Sequence, residues 1–298
     1  RVQPVTRPAP CPPVERRPHR ISVTRVETLL TDPYSLYARE VLRLRALEPL
    51  DKIPDEADRG TILHAVLEGF VRAFPDTLPP DARDWIMDRA RAEMDRRSAD
   101  PAVWSVWLRR MERIATAFVA QERARRPGMR PVRTEARGES IFRILDRDVT
   151  LSAIADRIDR TPSGGLEIID YKSGGAYTAG RIRSGDLVQL PLEALLVHRG
   201  GFEGLTGPVE RLSYWKMTGR ADEPLETISL LDGEDGVSLA ALAQEAGEGF
   251  EALMAAFLDP ATPYYSLPRL DRRPRYNDYE HLARVSEWSA PGDLGEVV

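Results

Sequence analysis

Apolar side chains recur at helical spacing through most of the first 130 residues. Residues 59–70 show this spacing clearly, and Ser22 or Thr24 can cap an earlier helix that includes Leu29. Prolines close to an aspartate mark the starts of further helices near residues 33, 81 and 101, because proline is tolerated in the first turn of a helix. The first part of the chain is therefore predicted to be mainly helical.

From residue 132 the apolar pattern changes to the period of two that is typical of strands. Residues 135–143 and 148–158 alternate in this way, residues 165–171 form a short apolar run, and the turn at 161–165 joins the last two into a hairpin. Beyond the hairpin, the pattern predicts a helix at about 187–198, strands at 209–217 and 225–230, and a helix at about 237–258.

These elements predict one domain over residues 21–298, with a helical part at about 21–130, an α/β core at about 131–258 and an irregular carboxy-terminal arm at about 259–298. Residues 1–20 are rich in proline and arginine and lack the apolar centre of a signal peptide. They are interpreted as a linker from an upstream region. The chain begins without methionine, which indicates a fragment.

The composition is that of an ordinary globular protein, with 42% hydrophobic and 30% charged residues. No apolar run approaches the roughly 18 residues that a membrane-spanning helix needs, so no membrane association is expected. A net charge of -5 excludes a uniformly basic nucleic-acid binder and leaves a local arginine patch as the means of contacting DNA. The one cysteine, Cys11, excludes an internal disulfide and a four-cysteine metal site, and it favours a reducing cytoplasm.

The residues with the clearest chemical meaning are Asp170 and Lys172, at the end of the short apolar strand. Residues two apart on a strand point to the same face, so this carboxylate and ammonium lie side by side. Such a pair suits metal-assisted hydrolysis, in which the carboxylate binds Mg²⁺ and the lysine stabilises the attacking water or the charge on a phosphate. Only three of the 42 basic residues are lysines, so a lysine here indicates a need for its compact charge. The alternative is a strand-end salt bridge.

Three further residues are candidates for the same site. They are His64 on an early helix, Asp156 on the strand before the hairpin turn, and Gln189 at the start of a helix. Together with Asp170 and Lys172, their order resembles the RecB-like branch of the PD-(D/E)XK nucleases over about residues 24–290. The phrases RGTILH, ADRIDR followed by IIDYKSG, and YSLPRLDRRPRYNDYEHLARVSEWS are similar to the carboxy-terminal nuclease domains of the AddB family.

This resemblance implies a restriction-endonuclease-like α/β core with a mixed central sheet flanked by helices. It also implies that His64, Asp156 and Asp170 bind Mg²⁺, with Mn²⁺ as an alternative, while Lys172 lies near the water and Gln189 helps to hold the site. The implied activity is DNA exonuclease cleavage with little sequence specificity in double-strand break repair. The implied partners are a DNA strand delivered by a helicase and an AddA-like helicase-nuclease subunit.

The chain departs from the family in two respects. Glu193 stands where the family often has tyrosine, four residues after the glutamine. The four cysteines that hold an iron-sulfur cluster in many AddB proteins are missing, so no such cluster is expected. Packing of the tail by aromatic residues is expected instead, and the residues concerned are Tyr34, Tyr37, Tyr264, Tyr265, Tyr276, Tyr279 and Trp288.

Several alternatives stay open at this point. His64 can be an ordinary helix histidine, Gln189 a helix-start residue, and Asp159 the partner of an arginine at the surface. The whole domain can be a catalytically silent module that supports or guides DNA in a larger complex. A helical adaptor with an accidental Asp-Tyr-Lys turn is a third possibility, and it would leave the three expected metal ligands far apart. Other side chains have simpler interpretations. The tryptophans at 104, 107 and 215 are interpreted as core or interface residues, and Tyr171 as either a packing residue or a DNA contact. The arginine runs at 109–110, 123–126 and 272–273 are interpreted as solvated faces, with DNA tracks as the alternative.

Overall fold

The longer helices and strands lie where the apolar periodicity predicts them, usually within a few residues, whereas three short elements, at 20–22, 179–183 and 285–288, were not predicted. The structure is a computed structural model that describes residues 5–47, 54–97, 101–268 and 277–289. Its helices are α1 (Val23–Thr31), α2 (Pro33–Leu36), α3 (Glu56–Ala73), α4 (Ala82–Asp95), α5 (Pro101–Arg125), α6 (Ala179–Arg183), α7 (Gln189–His198), α8 (Leu239–Leu258) and α9 (Val285–Trp288). Its strands are β1 (Arg20–Ser22), β2 (Arg130–Ile144), β3 (Arg147–Arg160), β4 (Leu166–Lys172), β5 (Val209–Lys216) and β6 (Glu226–Leu231).

The described residues fall into two compact units. The first unit combines Arg1–Glu48, Glu139–Ser152 and Glu245–Val298, and the second unit combines Pro49–Gly138 and Ala153–Gln244. The single domain predicted over residues 21–298, with an upstream linker before it, stays a prediction. Among the described residues, no helix has both the length and the apolar character that crossing a bilayer requires.

The second unit contains a mixed sheet in the order β3-β4-β5-β6. β3 and β4 are antiparallel, with Arg157 opposite Ile169, whereas β4 and β5 are parallel and β5 and β6 are antiparallel. The hairpin turn between β3 and β4 contains Gly164 at φ 91°, a conformation that glycine adopts without strain. The α/β class and the mixed sheet flanked by helices are therefore confirmed.

Helices cover both faces of this sheet. α3, α4 and α5 pack through a large apolar core against Ile169, Tyr171 and Trp215 on one face. On the other face α7 contacts β4 and β5, and residues 189–197 of this helix are all buried. Tyr171 is thus a packing residue, and the three tryptophans lie in the core as the sequence predicts.

Two sequence-based predictions, which placed charged residues at the surface, are wrong because these residues are buried against the sheet. Asp159 does pair with arginine, but it is fully buried and not at the surface. Arg125 and Arg126, predicted to be solvated, have side chains only 9% and 8% exposed. Both belong to a buried ion-pair network in the second unit, whose members are Glu122, Arg125, Arg126, Arg157, Asp159 and Glu167.

The first unit begins with α1, which Ser22 caps by accepting a hydrogen bond from the Arg25 amide at 3.3 Å. β1 pairs in parallel with the first part of β3, with Arg20 opposite Thr150. The segment before β1 is held by Arg17, which is 4% exposed and donates hydrogen bonds to the Phe257 and Asp259 carbonyls at 2.7 and 2.9 Å.

Aromatic packing of the tail occurs in the first unit for most of the residues expected to provide it. Tyr34, Tyr37 and Trp288 belong to one apolar cluster, and the Tyr37 and Tyr264 rings lie 6.1 Å apart. The Tyr279 hydroxyl donates a hydrogen bond to the Leu44 carbonyl at 3.0 Å. Two members differ: the Tyr265 side chain is 45% exposed, and Tyr276 lies outside the described residues.

The buried carboxylate of Asp32 connects the start of α2 to the carboxy-terminal tail through hydrogen bonds. Asp32 is 1% exposed and accepts hydrogen bonds from the Leu267 amide at 2.9 Å and the Asn277 side chain at 2.8 Å, as well as from the Ser35 hydroxyl. Charge-assisted hydrogen bonds of this kind are stronger than neutral ones. Asp32 therefore supplies a polar connection beside the aromatic cluster.

We expect Asp32→Ala to lower the free energy of unfolding by at least about 2 kcal/mol, because the buried Leu267 amide loses its acceptor. Urea denaturation of the purified chain measures this change. The control is Asp148→Ala, since Asp148 is 66% exposed and pairs only with Arg143 among the ion pairs of the described residues. A loss below about 0.5 kcal/mol in both variants would show that Asp32 does not hold the tail.

Candidate active site

The β3–β4 hairpin places two acidic residues side by side. The antiparallel register pairs Arg157 with Ile169, so the preceding residue on β3, Asp156, is next to Asp170 on β4. The side chains at 170 and 172 point away from the face that carries Tyr171, because successive residues on a strand alternate. The Asp156 carboxylate accepts a hydrogen bond from the Tyr171 amide at 2.7 Å, which fixes its position.

His64 reaches this pair from α3. The helix begins with a capping box in which Asp55 accepts from the Ala57 and Asp58 amides. His64 Nδ1 lies 3.3 Å from Asp156 Oδ1. Burial alone would lower the pKa of His64, but the hydrogen bond and the charge of Asp156 raise it above the usual value. His64, Asp156 and Asp170 are thus brought together, which excludes the helical adaptor with an accidental turn.

Glu135, on β2, is a further candidate residue of this site, and no motif in the sequence predicts it. Potential ligand atoms of His64, Glu135 and Asp156 all lie within 4.8 Å of one another. Burial, with the charges of Asp156 and Glu68, raises the pKa of Glu135. Glu135 has φ 46° inside a strand, a left-handed conformation that is costly for residues other than glycine. No signal in the sequence indicates this local turn of the backbone.

Asp170 and Lys172 form the second part of the site. Lys172 Nζ lies 2.6 Å from Asp170 Oδ2, and the Lys172 and Asp170 side chains are 20% and 4% exposed. Burial raises the pKa of Asp170 to about 6, although the Lys172 ammonium acts in the opposite direction. The ammonium also lies 5.5 and 5.6 Å from the centres of the Tyr177 and Tyr214 rings, within the range of cation–π attraction.

Gln189 joins these two residues from the first turn of α7. Its Oε1 accepts a hydrogen bond from Lys172 Nζ at 3.0 Å, and its Nε2 donates to Asp170 Oδ1. The same Nε2 donates to Glu193 Oε1 at 3.1 Å. Gln189 is therefore positioned by the side chains around it, and its contacts are those of a residue that organises the site.

One known protein family matches the stretch of chain that contains these candidate site residues. A family model of the PD-(D/E)XK nuclease superfamily matches residues 20–266, which include every candidate site residue. The chain belongs to the PD-(D/E)XK nuclease superfamily. Membership fits the mixed sheet and the placing of Asp170 and Lys172 at the end of β4, beside Asp156 of β3.

Several proteins resemble this PD-(D/E)XK chain in sequence. An uncharacterised protein of Rickettsia bellii (strain RML369-C) is 25% identical over 279 residues, covering 89% of this chain and 32% of the relative. An uncharacterised protein of Rickettsia conorii is 28% identical over 189 residues, covering 62% of this chain and 23% of the relative. A subunit of the ATP-dependent helicase/deoxyribonuclease of Streptococcus mutans is 26% identical over 162 residues, covering 53% of this chain and 14% of that relative. The chain thus spans a third or less of the length of each of these relatives.

Proposed function

We propose that this chain is a divalent-metal-dependent deoxyribonuclease domain that hydrolyses phosphodiester bonds. The observation that carries the proposal is the convergence of His64, Asp156, Asp170 and Lys172 beside the carboxy-terminal end of β4. A mixed set of imidazole and carboxylate ligands beside a lysine is the arrangement expected for metal-assisted hydrolysis.

The residues present fit a divalent cation such as Mg²⁺ or Mn²⁺. His64, Glu135 and Asp156 offer ligand atoms within 4.8 Å of one another, and Asp170 adds a carboxylate on the adjacent strand. Oxygen ligands suit Mg²⁺, while an imidazole is better suited to Mn²⁺. A cation bound there would lower the pKa of a bound water and would neutralise charge on the phosphate.

The Lys172 ammonium would supply positive charge beside the proposed metal site without acting as a metal ligand itself. Its ammonium is held by Asp170, by Gln189 and by two aromatic rings, so its position is defined before any substrate arrives. From there it can donate a hydrogen bond to the attacking water or to a phosphate oxygen. Contacts of this kind read the DNA backbone and not the base edges, so we expect little sequence specificity.

We further infer that the domain acts as an exonuclease in a helicase-nuclease that processes double-strand breaks. The similarity to a helicase/deoxyribonuclease subunit of Streptococcus mutans supports an AddB-like role with a separate AddA-like subunit. The helicase would deliver a single strand to the site. The single cysteine of the chain fits a reducing cytoplasm, as the sequence predicts.

A second candidate function is a catalytically silent module that guides DNA within the same complex. The observation in its favour is Glu193, a fully buried carboxyl that contacts Gln189 and adds an acidic group to the site. The retention of Asp170 and Lys172 favours the nuclease.

The decisive experiment is degradation of end-labelled single-stranded DNA by the purified chain with Mg²⁺ or Mn²⁺, with and without chelator. We expect metal-dependent cleavage that Asp170→Ala abolishes. The control is Asp76→Ala, which removes an acid that is 64% exposed and pairs with Arg130. Cleavage that survives Asp170→Ala would place the activity elsewhere. A wild-type chain that neither cleaves DNA nor binds Mn²⁺ would favour the silent module.

We also expect Glu135→Gln to weaken Mn²⁺ binding by at least about tenfold, because it replaces a charged ligand with a neutral one of the same shape. Isothermal titration calorimetry of the purified chain with Mn²⁺ measures the dissociation constant. The control is Glu139→Gln, four residues further along β2, where the side chain is 57% exposed and pairs with Arg20. An unchanged dissociation constant in Glu135→Gln would exclude Glu135 from the ligand set.

A further inference from the structure

The unusual residue of this site is Glu193, one helical turn after Gln189 on α7. Its side chain is fully buried, on a helix whose other residues are mostly apolar. A buried carboxyl is costly unless it is hydrogen-bonded or neutral. Burial and the nearby Asp170 raise the pKa of Glu193 well above its usual range, which favours the neutral form. A carboxyl that is buried despite this free-energy cost is expected to have a structural or functional role.

The Glu193 carboxyl accepts a hydrogen bond from one end of the Gln189 side-chain amide. The two ends of this amide differ: Oε1 accepts from the Lys172 ammonium at 3.0 Å, while Nε2 donates to both Asp170 and Glu193. An amide turned end for end would place its NH₂ against the ammonium and its oxygen against two carboxyl groups. Lys172 and Asp170 therefore set one orientation of the Gln189 amide, and in this orientation Nε2 donates to Glu193 Oε1.

Two of these three partners of Gln189 are needed by the proposed reaction. Asp170 would also bind the cation and Lys172 would also contact water or phosphate, so both share their polar atoms between Gln189 and the loaded site. The contact with Glu193, 3.1 Å from Gln189 Nε2, competes with neither cation nor substrate. It can hold the amide while the other two partners are engaged.

We propose that Glu193 is a positioning residue, which acts through the Gln189 amide to hold the Asp170 carboxylate and the Lys172 ammonium in their working places. This inference rests on the proposed function and deepens it. It assigns Glu193 a role as a hydrogen-bond acceptor and not as a metal ligand.

The test compares Glu193→Met, which has similar length and no strong acceptor, with Glu193→Gln, which keeps an acceptor oxygen. We expect Glu193→Met to weaken Mn²⁺ binding by about tenfold and to slow single-strand cleavage at saturating Mn²⁺ by about 10- to 100-fold. Glu193→Gln is expected to recover both quantities to within about threefold of wild type. A Glu193→Met protein equal to wild type, or a Glu193→Gln protein as impaired as Glu193→Met, overturns the proposal.

A double-mutant cycle separates positioning from packing. In a Gln189→Met background, Glu193→Met is expected to cause no further loss of Mn²⁺ affinity, because its effect passes through the missing amide. Losses that simply add would overturn the proposal and indicate an independent packing role. The melting temperature of each variant shows whether the protein is still folded at the assay temperature. A loss of folded protein is then not mistaken for a loss of Mn²⁺ affinity.

The wild-type protein provides a readout that needs no variant. In a crystal structure of the Mn²⁺-loaded chain, we expect Gln189 Nε2 and Glu193 Oε1 to be within hydrogen-bonding distance, and a separation beyond about 3.5 Å overturns the proposal. Failure of the proposed function looks different, because a wild-type chain without Mn²⁺ binding or cleavage would fail before any variant is compared. In that case the metal-free crystal still tests the contact by the same distance.

Discussion

Lys172→Met is expected to slow single-strand cleavage by at least about 100-fold, which is the typical cost of removing one group that stabilises charge in a transition state. The ammonium lies 2.6 Å from Asp170 Oδ2, and 5.5 and 5.6 Å from the centres of the Tyr177 and Tyr214 rings. It is not a metal ligand, so the dissociation constant for Mn²⁺ should change by less than about fivefold. The measurement is the cleavage rate at saturating Mn²⁺, together with a calorimetric titration of the metal.

The chain offers a close control for this substitution in Lys216. Lys216 lies opposite Lys172 in the register of β5 and β4, and its side chain is 22% exposed, against 20% for Lys172. It pairs with Glu226 at 3.2 Å and not with the candidate ligands. Lys216→Met should leave the rate within about twofold. If Lys172→Met keeps more than a tenth of the activity, the Asp170–Lys172 pair is only a strand-end salt bridge.

Arg157→Met is expected to lower the free energy of unfolding by about 3–5 kcal/mol, because removal of one partner leaves buried charges without compensation. The Arg157 side chain is fully buried and donates to Glu122 at 2.7 and 3.2 Å and to Asp159 at 2.6 and 2.8 Å. Arg125 still neutralises part of the charge on Asp159, at 2.7 Å, which keeps the loss within this range.

Urea denaturation followed by tryptophan fluorescence suits this measurement, because the Arg157 guanidinium lies 5.6 Å from the centre of the Trp215 ring. The control is Arg143→Met, since Arg143 is 62% exposed and pairs with Asp148. Its effect should stay within about 0.5 kcal/mol. Arg157→Lys keeps the charge without the two-pronged geometry and should fall between the two. A loss below about 1 kcal/mol in Arg157→Met would show that the network does not stabilise the fold.

Those parts of the fold and of the site that depend on local periodicity and local sequence signals are predictable from the sequence. Asp170 and Lys172 share one face of β4 because strand side chains alternate, and Ser22 caps α1 because its hydroxyl can accept from the first turn. The glycines between the two strands indicate the hairpin turn. The order of His64, Asp156 and Gln189 along the chain was sufficient to expect that they meet, given the resemblance to a nuclease family.

Other features depend on segments that are distant in the chain, and local patterns carry no information about them. Glu135 enters the site through one left-handed residue inside β2, a conformation that no residue type near it indicates. Arg125 and Asp159 were expected in solvent because charged residues usually remain there, yet each is neutralised by a partner from another element.

The sequence by itself thus determined the elements, the fold class and the spacing of the candidate catalytic pair, since these follow from periods of two and of about 3.6 residues. Tertiary structure alone decided which charges are buried, where Glu135 points, and that Glu193 contacts Gln189. The physical reason is that the cost of burying a charge depends on the partner it finds, and folding brings that partner from elsewhere in the chain.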